Sequence, residues 1–303
     1  MKLLLVDGHY YVYRSFFAIQ SLSNSRGEPT NAIYGFVKTV RKMLKDLAPD
    51  RAAVIWDEGI PARRAELQPE YKANRSEMPD LMRPQIGFIR DLVPKMGLAS
   101  LGLPDTEADD LMASYCVAAR KQGTDVILAT NDKDLFQLVD GDVLVYSTNK
   151  SDLASPKDPH ALLGAEAVRK KWGVDPAQIG DVLALIGDNV DNIPGVPGLG
   201  PKTATNLLNE HGSLIAILND VSTVKSEKLR AKLDTARNQI IANREMVRLD
   251  LDLPLPVPID DLRIVPRWDE YVAALRSCDF KGLLAEVEAE AASVKEKAQG
   301  ELF

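Results

Sequence analysis

Acidic side chains recur along this chain at places where an α/β sheet would present them at one rim. Asp7 directly follows the apolar run 3–6, and Asp57 follows the apolar run 53–56. Such runs are typical of buried parallel strands, whose carboxyl ends meet at the edge where ligands bind. Many like charges cannot converge there without a counter-charge, and hard divalent cations suit a set of oxygen ligands. The carboxylates predicted to converge on metal are Asp7, Asp57, Glu107, Asp109, Asp110, Asp132, Asp134, Asp188 and Asp191.

The strongest local signal is the acidic segment 106–110, which the pattern places at the start of a helix. The helix dipole stabilises an acid in the first turn by about 0.3–1 kcal/mol, so one such residue needs no function. Glu107, Asp109 and Asp110 are three acids within four positions, which is more than capping uses. We therefore predict that Glu107 and Asp109 bind metal, with Asp110 beside them.

Asp132 and Asp134 follow the apolar run 126–129. An aspartate can cap the helix that begins near residue 135, but this accounts for only one of the two acids. The other is predicted to be a ligand, and Lys133 between them is interpreted as a local charge partner.

Asp188 and Asp191 lie three residues apart, one helical turn, at the predicted end of a helix. The helix dipole disfavours carboxylates at a C-terminus, so their presence there calls for a compensating cation. An Asx-turn that leads into Pro194 is the alternative interpretation.

The elements that must position these acids follow from the apolar periodicities. Strands alternate with helices in the first half, which favours a mostly parallel sheet with helices on both faces. From about residue 160 the pattern is helical, and a Pro-rich extended connector occupies 253–259. The predicted strands are 3–6, 52–56, 126–130 and 143–146, and the predicted helices include 31–47, 84–96, 108–121 and 267–292.

A Gly/Pro-rich segment at 195–204 contains Gly198, Gly200, Lys202 and Thr203. Glycines let a backbone approach a phosphate closely, and the amides at the start of the next helix point towards that phosphate. Lys202 adds charge and Thr203 adds a hydroxyl. The pattern predicts a helix-hairpin-helix that holds a phosphodiester backbone without reading bases, the alternative being a simple turn. Together with the acids it indicates metal-dependent phosphate chemistry.

The charged segment 63–75 follows the strand that ends at Asp57. A run of mixed charge usually marks a solvated surface. Here, however, Lys72 and Arg75 lie one helical turn apart beside Tyr71, a combination that offers positive charge and a stacking surface. We predict that this segment grips a single strand over the metals and stabilises charge on the phosphate.

Composition sets broad limits. The 303 residues suffice for one large domain or two modest ones, and the formal net charge of −7 does not by itself announce a nucleic-acid binder. Cys116 and Cys278 have no CxxC partner, which favours free thiols in a reducing compartment. No apolar run reaches the length of a signal or membrane segment, so we expect a cytoplasmic protein without a membrane partner.

In order and spacing, these motifs resemble the 5′ nuclease family, which includes the 5′ nuclease domain of bacterial DNA polymerase I, bacteriophage 5′ nucleases and flap endonucleases. The resemblance covers about residues 1–290, and all nine acidic positions of the family are present. The matching segments are Val6-Asp7-Gly8-His9, Tyr71-Lys72-Ala73-Asn74-Arg75, Glu107-Ala108-Asp109-Asp110, Asp132-Lys133-Asp134 and Gly187-Asp188-x-x-Asp191 with the Gly/Pro segment that follows it.

The resemblance implies a fold and an activity. The activity is that of a structure-specific 5′ nuclease, a 5′-3′ exonuclease and 5′-flap endonuclease that leaves 5′-phosphates in Okazaki-fragment maturation and repair. Its substrates would be DNA with 5′ flaps, nicks or 5′ overhangs, and RNA primers on DNA. The implied domains are a PIN-like α/β core at 1–160 with a helical arch at about 61–90, a helical region with the helix-hairpin-helix at 161–260, a C-terminal helical unit at 261–292 and a mobile tail at 293–303.

The resemblance also implies roles for individual residues, with two or more Mg²⁺ or Mn²⁺ ions and K⁺ at the helix-hairpin-helix. The first divalent ion would be held by Asp7, Asp57, Glu107, Asp109 and Asp110. The second would be held or hydrated by Asp132, Asp134, Asp188 and Asp191. Lys72 and Arg75 would touch the scissile phosphate as catalytic residues. The other DNA contacts would come from Tyr71, Arg64, Gly198, Gly200, Lys202 and Thr203.

Two residues depart from the family pattern. Asn131 stands where Gly or Ser usually precedes Asp-Lys-Asp, and Arg63 replaces an aromatic residue before Arg64. Neither change removes a ligand, so we expect effects on rate and flap preference only. No polymerase motif follows within the 303 residues, and we therefore expect a monomeric, stand-alone nuclease.

The last five residues, 299–303, form a separate hypothesis. Gln299, Leu302 and Phe303 resemble the pentapeptide by which bacterial replication proteins dock on the sliding clamp. An apolar pair at the tip of a polar tail suits anchoring in a pocket, and tethering would raise the effective concentration of the nuclease at replicating DNA.

Three other functions stay open. A PIN-type ribonuclease would share Asp7 and the α/β core but would lack the segments 194–204 and 71–75. A non-catalytic binder of branched DNA would keep the hairpin and lose ligands. A small-molecule phosphatase would show no salt-sensitive binding to DNA.

Overall fold

The computed structural model describes residues 1–155, 157–158 and 160–300, with side chains up to residue 297. The chain forms two compact units. The first unit contains Met1–Trp56, Met78–Gly102 and the chain from Pro256 onward, and the second contains Asp57–Glu77 and Leu103–Leu255. Among the described residues, no helix is long and apolar enough to cross a membrane.

The regular elements are numbered in chain order. The strands are β1 (Lys2–Asp7), β2 (Arg51–Ile55), β3 (Ala99–Leu101), β4 (Asp125–Ala129), β5 (Val143–Ser147), β6 (Ala161–Leu163), β7 (Gly187–Asp188) and β8 (Ile193–Pro194). The α-helices are α1 (Gly8–Ala18), α2 (Asn31–Leu47), α3 (Ala62–Leu67), α4 (Arg83–Leu92), α5 (Ala108–Lys121), α6 (Ala165–Trp172), α7 (Ile179–Ile186), α8 (Pro201–His211), α9 (Leu214–Asn219), α10 (Glu227–Thr235), α11 (Arg237–Met246), α12 (Trp268–Ser277) and α13 (Lys281–Gly300).

The first unit is built on three parallel strands in the order β3-β2-β1. The side chains of residues 3–6 in β1 are completely buried, as is typical of a strand in a parallel sheet. Its carboxyl end delivers Asp7, which caps α1 by accepting a hydrogen bond of 3.0 Å from the Tyr10 amide.

A close approach fixes the start of α1. A Cβ atom on Gly8 would lie 2.5 Å from the Trp56 ring, so only glycine fits there. His9 packs edge-on against the same ring, with ring centroids 5.4 Å apart. His9 therefore has a packing role.

The second unit holds β4 and β5 as a parallel pair, with β6 antiparallel on β5. α5 precedes β4, and its inner face carries the buried residues Leu111, Met112 and Tyr115. The rest of this unit, from α6 to α11, is helical apart from the short hairpin of β7 and β8.

The predicted class is confirmed: a mostly parallel sheet is flanked by helices and followed by a helical region. The strands expected at 3–6, 52–56, 126–130 and 143–146 are all present. The sequence patterns missed β3, β6 and α1. They also predicted that the last helix ends at 292, whereas α13 continues to Gly300. Cys116 and Cys278 are free and buried, as expected.

Candidate metal centre and active site

A cluster of carboxylates lies at the start of α5. Ligand oxygens of Glu107, Asp109 and Asp110 all lie within 4.8 Å of one another. Asp57 accepts a hydrogen bond of 3.0 Å from the Ala108 amide, so it caps the first turn of α5 from outside the helix. Glu107 stands at the N-cap position, yet its side chain makes no capping bond. Its carboxylate therefore faces other partners, and the predicted cluster is present.

Asp132 and Asp134 follow β4 as predicted. The Asp134 amide donates to Oδ1 of Asp132 at 3.0 Å, and the Asp132 amide donates to the Thr130 hydroxyl at 3.0 Å, so the turn is fixed by side chains. Burial raises the pKa of Asp134 well above its ordinary value, and the Asp132 carboxylate raises it further. Two like charges in such a turn favour a bound cation.

Asp188 and Asp191 do not lie on a helix, so the predicted helical spacing is wrong. α7 ends at Ile186 because Gly187 takes a φ of 73°, outside the helical region. Asp188 belongs to β7 and Asp191 to the turn before β8. Both are buried, at 9% and 8% exposure. Lys133 pairs with Asp188 at 2.6 Å, so it is a charge partner, but of a carboxylate distant in sequence and not of a local one as predicted.

Arg64 is a counter-ion inside the unit. The prediction that it contacts DNA is wrong for this structure, because its side chain is 0% exposed. The guanidinium makes two hydrogen bonds of 2.7 and 3.1 Å to Asp110, contacts Glu107, and donates to the backbone oxygens of Met246 and Arg248. Burial opposes its charge, but the surrounding carboxylates hold the pKa of Arg64 above its ordinary value. The mixed charges of the segment 63–75 gave no indication that Arg64 would be buried.

The segment 68–77 contains consecutive turns at 69–74 and no helix, where the sequence predicted a helical segment. Lys72 has a φ of 59°, which an α-helix cannot contain. The amide of Lys72 donates to the Asp191 backbone oxygen at 3.1 Å and so attaches the turns to the hairpin of β7 and β8. Lys72 also pairs with Glu107, and Arg75 pairs with Asp191. The two predicted catalytic cations therefore reach the carboxylates through turn geometry.

Tyr71 is 6% exposed and offers no stacking surface in this structure, which corrects the predicted DNA contact. Its hydroxyl lies 3.3 Å from Oε1 of Glu107 and 3.5 Å from Oδ2 of Asp191. Burial and the charge of Glu107 raise the pKa of Tyr71 far above its ordinary value, so the hydroxyl stays protonated. Tyr71 therefore supports two carboxylates as a neutral donor.

The donor set of this site fits divalent metal ions. Burial, and then the charge of Asp110, raise the pKa of Asp109 well above its ordinary value. Burial likewise raises the pKa of Asp132. The protein thus gathers carboxylates whose ionisation is unfavourable without a cation. A metal ion at this site would find oxygen ligands only. This coarse prediction, a divalent-metal site, agrees with the geometry.

The metal-free protein is expected to lose stability as the pH rises, by roughly 5 °C in melting temperature between about pH 5.5 and about pH 7.5. The raised pKa values of Asp109, Asp132 and Asp134 mean that the folded state binds more protons than the unfolded state over this range. Ionisation on raising the pH therefore costs folding free energy. Millimolar Mg²⁺ should raise the melting temperature more at the higher pH.

Differential scanning fluorimetry with EDTA or Mg²⁺ checks this expectation. The variant Asp134→Asn should flatten the pH dependence and reduce the Mg²⁺ increment. Equal Mg²⁺ increments at both pH values would contradict the assignment of these carboxylates to a metal site.

Asp7 belongs to the first unit, at the carboxyl end of β1. One of its carboxylate oxygens caps α1. Its predicted place among the metal ligands stays a prediction.

The hairpin between α7 and α8 has the predicted form. Gly198 takes a φ of 68°, and Gly200 precedes α8, whose first turn contains Lys202 and Thr203. No side chain caps α8. Pro201 has no N–H, and the amides of Thr203 and Ala204 donate to the Gly200 oxygen at 3.0 and 3.1 Å, so the Lys202 amide is the one left to a ligand in this first turn. The sequence patterns missed Lys232, whose ammonium donates to the Gly198 backbone oxygen at 3.0 Å. The hairpin thus combines a helix-start amide with nearby positive charge, as a phosphate site requires.

The predicted clamp-binding tail falls outside what the structure settles. Gln299 belongs to α13, but its side chain is not among those described. Leu302 and Phe303 lie outside the described residues.

This chain is similar to known proteins in both sequence and fold. The chain matches the profile of the 5′-3′ exonuclease N-terminal resolvase-like domain over residues 2–173. It matches the 5′-3′ exonuclease C-terminal SAM fold over residues 174–270. A solved structure of T5 5′-exonuclease with divalent zinc ions bound is 22% identical, with a TM-score of 0.67, over 97% of this chain and 99% of that one. The catalytic core of Rad2 in complex with DNA substrate is 19% identical, with a TM-score of 0.60, over 91% and 87%. These two likenesses show a common fold.

The sequence relatives are closer. A 5′-3′ exonuclease of Aquifex aeolicus is 37% identical over 287 residues, which are 94% of this chain and 95% of the relative. DNA polymerase I of Caldicellulosiruptor bescii is 38% identical over 94% of this chain, and the match spans 33% of the polymerase's own length. The two family profiles together cover most of the chain, and the Aquifex relative matches it almost end to end. The chain therefore belongs to the 5′-3′ exonuclease family.

Proposed function

We propose that this protein is a structure-specific 5′ nuclease that hydrolyses phosphodiesters at 5′ ends and at the base of 5′ flaps. Its substrates are DNA with flaps, nicks or 5′ overhangs, and RNA primers on DNA, and its products carry 5′-phosphates. One observation carries the proposal: the acidic cluster, the cationic turns 68–77 and the phosphate-binding hairpin occur together in the second unit.

Asp57, Glu107, Asp109 and Asp110 would hold one divalent ion. A second ion would lie among Asp132, Asp134, Asp188 and Asp191. Bound there, two Mg²⁺ or Mn²⁺ ions would supply activation of water and stabilisation of the leaving oxygen in an in-line displacement. The residues themselves fix the positions of these charges: Asp57 caps α5, Arg64 holds Asp110, and the hairpin of β7 and β8 presents Asp188 and Asp191.

Lys72 and Arg75 would contact the scissile phosphate. In the structure they pair with Glu107 and Asp191, so their positive ends already lie among the carboxylates. Bound cations would satisfy the same carboxylates, and the two side chains could then turn towards a phosphate. There they would stabilise the negative charge that develops in the transition state.

The hairpin after α7 would hold the duplex beside the cut. Its glycines and the Lys202 amide at the start of α8 suit one phosphate, and the side chains of Lys202 and Thr203 add a charge and a hydroxyl. Lys232 already donates to the Gly198 oxygen. K⁺ would bind at this hairpin. We propose that Lys232 adds a further phosphate contact at this end of the duplex.

The remaining expectations are carried by sequence alone. The protein would act as a monomer in the cytoplasm, in Okazaki-fragment maturation and repair, with residues 299–303 docking on the sliding clamp. Titration of a sliding clamp with protein lacking 299–303 tests the docking, and unchanged affinity would exclude it.

The wild-type protein should release a labelled 5′ flap from duplex DNA in Mg²⁺, and should not do so in EDTA. The nick that remains should be sealed by DNA ligase without prior phosphorylation, because the product carries a 5′-phosphate. A blunt duplex without a flap and a single-stranded RNA of the same sequence serve as control substrates.

The outcomes separate the alternatives. Preferential cutting of the single-stranded RNA would favour a PIN-type ribonuclease. Salt-sensitive binding without cutting, in both Mg²⁺ and Mn²⁺, would favour a non-catalytic binder of branched DNA.

A further inference from the structure

The second unit contains a cavity of about 550 Å³ beside the cationic turns. This volume lies within the range of small-molecule and nucleoside sites. Six amide side chains line the cavity, together with Glu70. They are Gln68, Asn74, Asn189, Asn192, Gln239 and Asn243.

Five of these amides donate at least one N–H group to a backbone oxygen. Gln68 donates to Asn192 at 2.5 Å, Asn74 to Asn189 at 2.7 Å and Asn192 to Glu70 at 2.8 Å. These three bonds tie the turns 68–74 to the hairpin of β7 and β8.

Gln239 and Asn243, on α11, complete the pattern. Gln239 donates to the Pro194 oxygen at 2.7 Å, and Asn243 donates to the Pro194 oxygen at 2.7 Å and the Ala184 oxygen at 3.0 Å. Within the described part of the chain, the side-chain oxygens of all five amides accept no hydrogen bond. Gln239 also donates to the Gly195 oxygen at 3.2 Å, so Gln239 and Asn243 commit both of their N–H groups and keep only an oxygen for a ligand. The one charged lining residue, Glu70, is an acceptor as well.

This lining selects a ligand by chemistry. A phosphate would meet the side-chain oxygens of Gln239 and Asn243 and the carboxylate of Glu70, so this part of the cavity does not suit the strand backbone. A ligand that carries N–H donors would satisfy the amide oxygens. Nucleobases differ in this respect: the exocyclic amino group of cytosine or adenine donates, whereas the corresponding position of thymine or uracil is a carbonyl acceptor.

The position of the cavity points to the same ligand. Gln68 and Asn74 flank Lys72 in sequence, and Asn192 follows Asp191, which pairs with Arg75. The segments that carry the proposed phosphate contacts therefore also form the wall of the cavity. A base attached next to that phosphate is the nearest part of a bound strand.

We propose that this cavity receives one unpaired base of the 5′ flap and prefers a base with an exocyclic amino group. The proposal rests on the proposed nuclease function. Unpaired bases beside a reacting phosphate are commonly read through the hydrogen-bonding edge that pairing would otherwise occupy. Flap cutting would thus carry a base preference at a single position, in an enzyme whose hairpin contacts carry none.

The test compares flap substrates in which a single unpaired deoxycytidine is replaced by deoxyuridine. The two bases have the same shape and differ in the amino group against the carbonyl. With equimolar substrates in Mg²⁺, the wild-type kcat/KM should favour deoxycytidine about tenfold at one flap position and be equal at the others.

Two variants assign the preference to the cavity. Gln239→Met removes one lining amide and should reduce the preference to less than about twofold. Gln137→Met is the matched control, because Gln137 also donates to a backbone oxygen, Val247 at 3.1 Å, but does not line the cavity. It should keep the wild-type preference.

Equal cutting of both substrates at every flap position would overturn this inference and leave the nuclease function intact. A preference that survives Gln239→Met would also overturn it, since the discriminating group would then lie elsewhere. Absence of cutting with either base would instead refute the proposed function.

Discussion

Asp109→Asn is expected to lower kcat for flap cutting by about three orders of magnitude. Asparagine keeps the oxygen that accepts the Asp110 amide, a bond of 2.8 Å in the structure, so the start of α5 should keep its shape. The substitution removes a buried charge that the proposed divalent ion requires. Loss of one metal's charge stabilisation is worth several kcal/mol in the transition state, and each 1.36 kcal/mol is about tenfold in rate.

The same substitution should raise the melting temperature of the metal-free protein. The pKa of Asp109 is raised by burial and by the charge of Asp110, so the ionised carboxylate destabilises the folded state at neutral pH. A neutral amide removes that cost. Kinetics with a labelled flap and fluorimetry in EDTA measure the two effects. The exposed Asp125→Asn serves as control and should change neither. A variant that retains more than about a tenth of the wild-type kcat would place the metal elsewhere.

Arg64→Met should destabilise the protein by about 3–5 kcal/mol, because it leaves a buried carboxylate pair without its counter-charge. Arg64 is fully buried and holds Asp110 with two hydrogen bonds. Methionine fills a similar volume without a donor. The melting temperature should fall by roughly 10 °C, and urea unfolding followed by circular dichroism measures the free energy directly.

Arg63→Met is the matched control from the neighbouring position. Arg63 is 21% exposed, lies 3.5 Å from Asp250 and donates to backbone oxygens, so its loss should cost only about 1 kcal/mol. An Arg64→Met protein with near wild-type stability would contradict the role of Arg64 as the counter-ion of Asp110. Arg64→Lys should remain strongly destabilised, since an ammonium cannot make the paired contact with Asp110.

The parts of the fold that the sequence predicts are those with strong local signals. β1, β2, β4 and β5 are uninterrupted apolar runs, because parallel strands are buried on both faces. β3 and β6 have three residues each, too few to show a period. The helix α1 was not predicted, because its residues 8–18 are aromatic and polar without a clear apolar stripe. Its start depends on Gly8 meeting the Trp56 ring, a contact between distant parts of the sequence.

The site also divides into features with a local sequence signal and features that depend on distant contacts. Acid identities and spacing predicted the cluster at the start of α5, since three acids in a first turn exceed the needs of the helix. Spacing alone could not show that Asp188 and Asp191 lie in a hairpin, because that depends on the left-handed φ of Gly187. The burial of Arg64 was also out of reach, since its partners Asp110 and Met246 are far away along the chain.

The pairing of Lys72 with Glu107 and of Arg75 with Asp191 has a thermodynamic consequence. A divalent ion and a DNA phosphate would compete for opposite members of these two ion pairs, and either ligand would release the partner that the other needs. Binding of each would therefore strengthen binding of the other by the same factor, as linkage requires. Bound DNA would then raise the affinity for Mg²⁺, so that this affinity is a property of the nuclease–DNA complex more than of the protein alone.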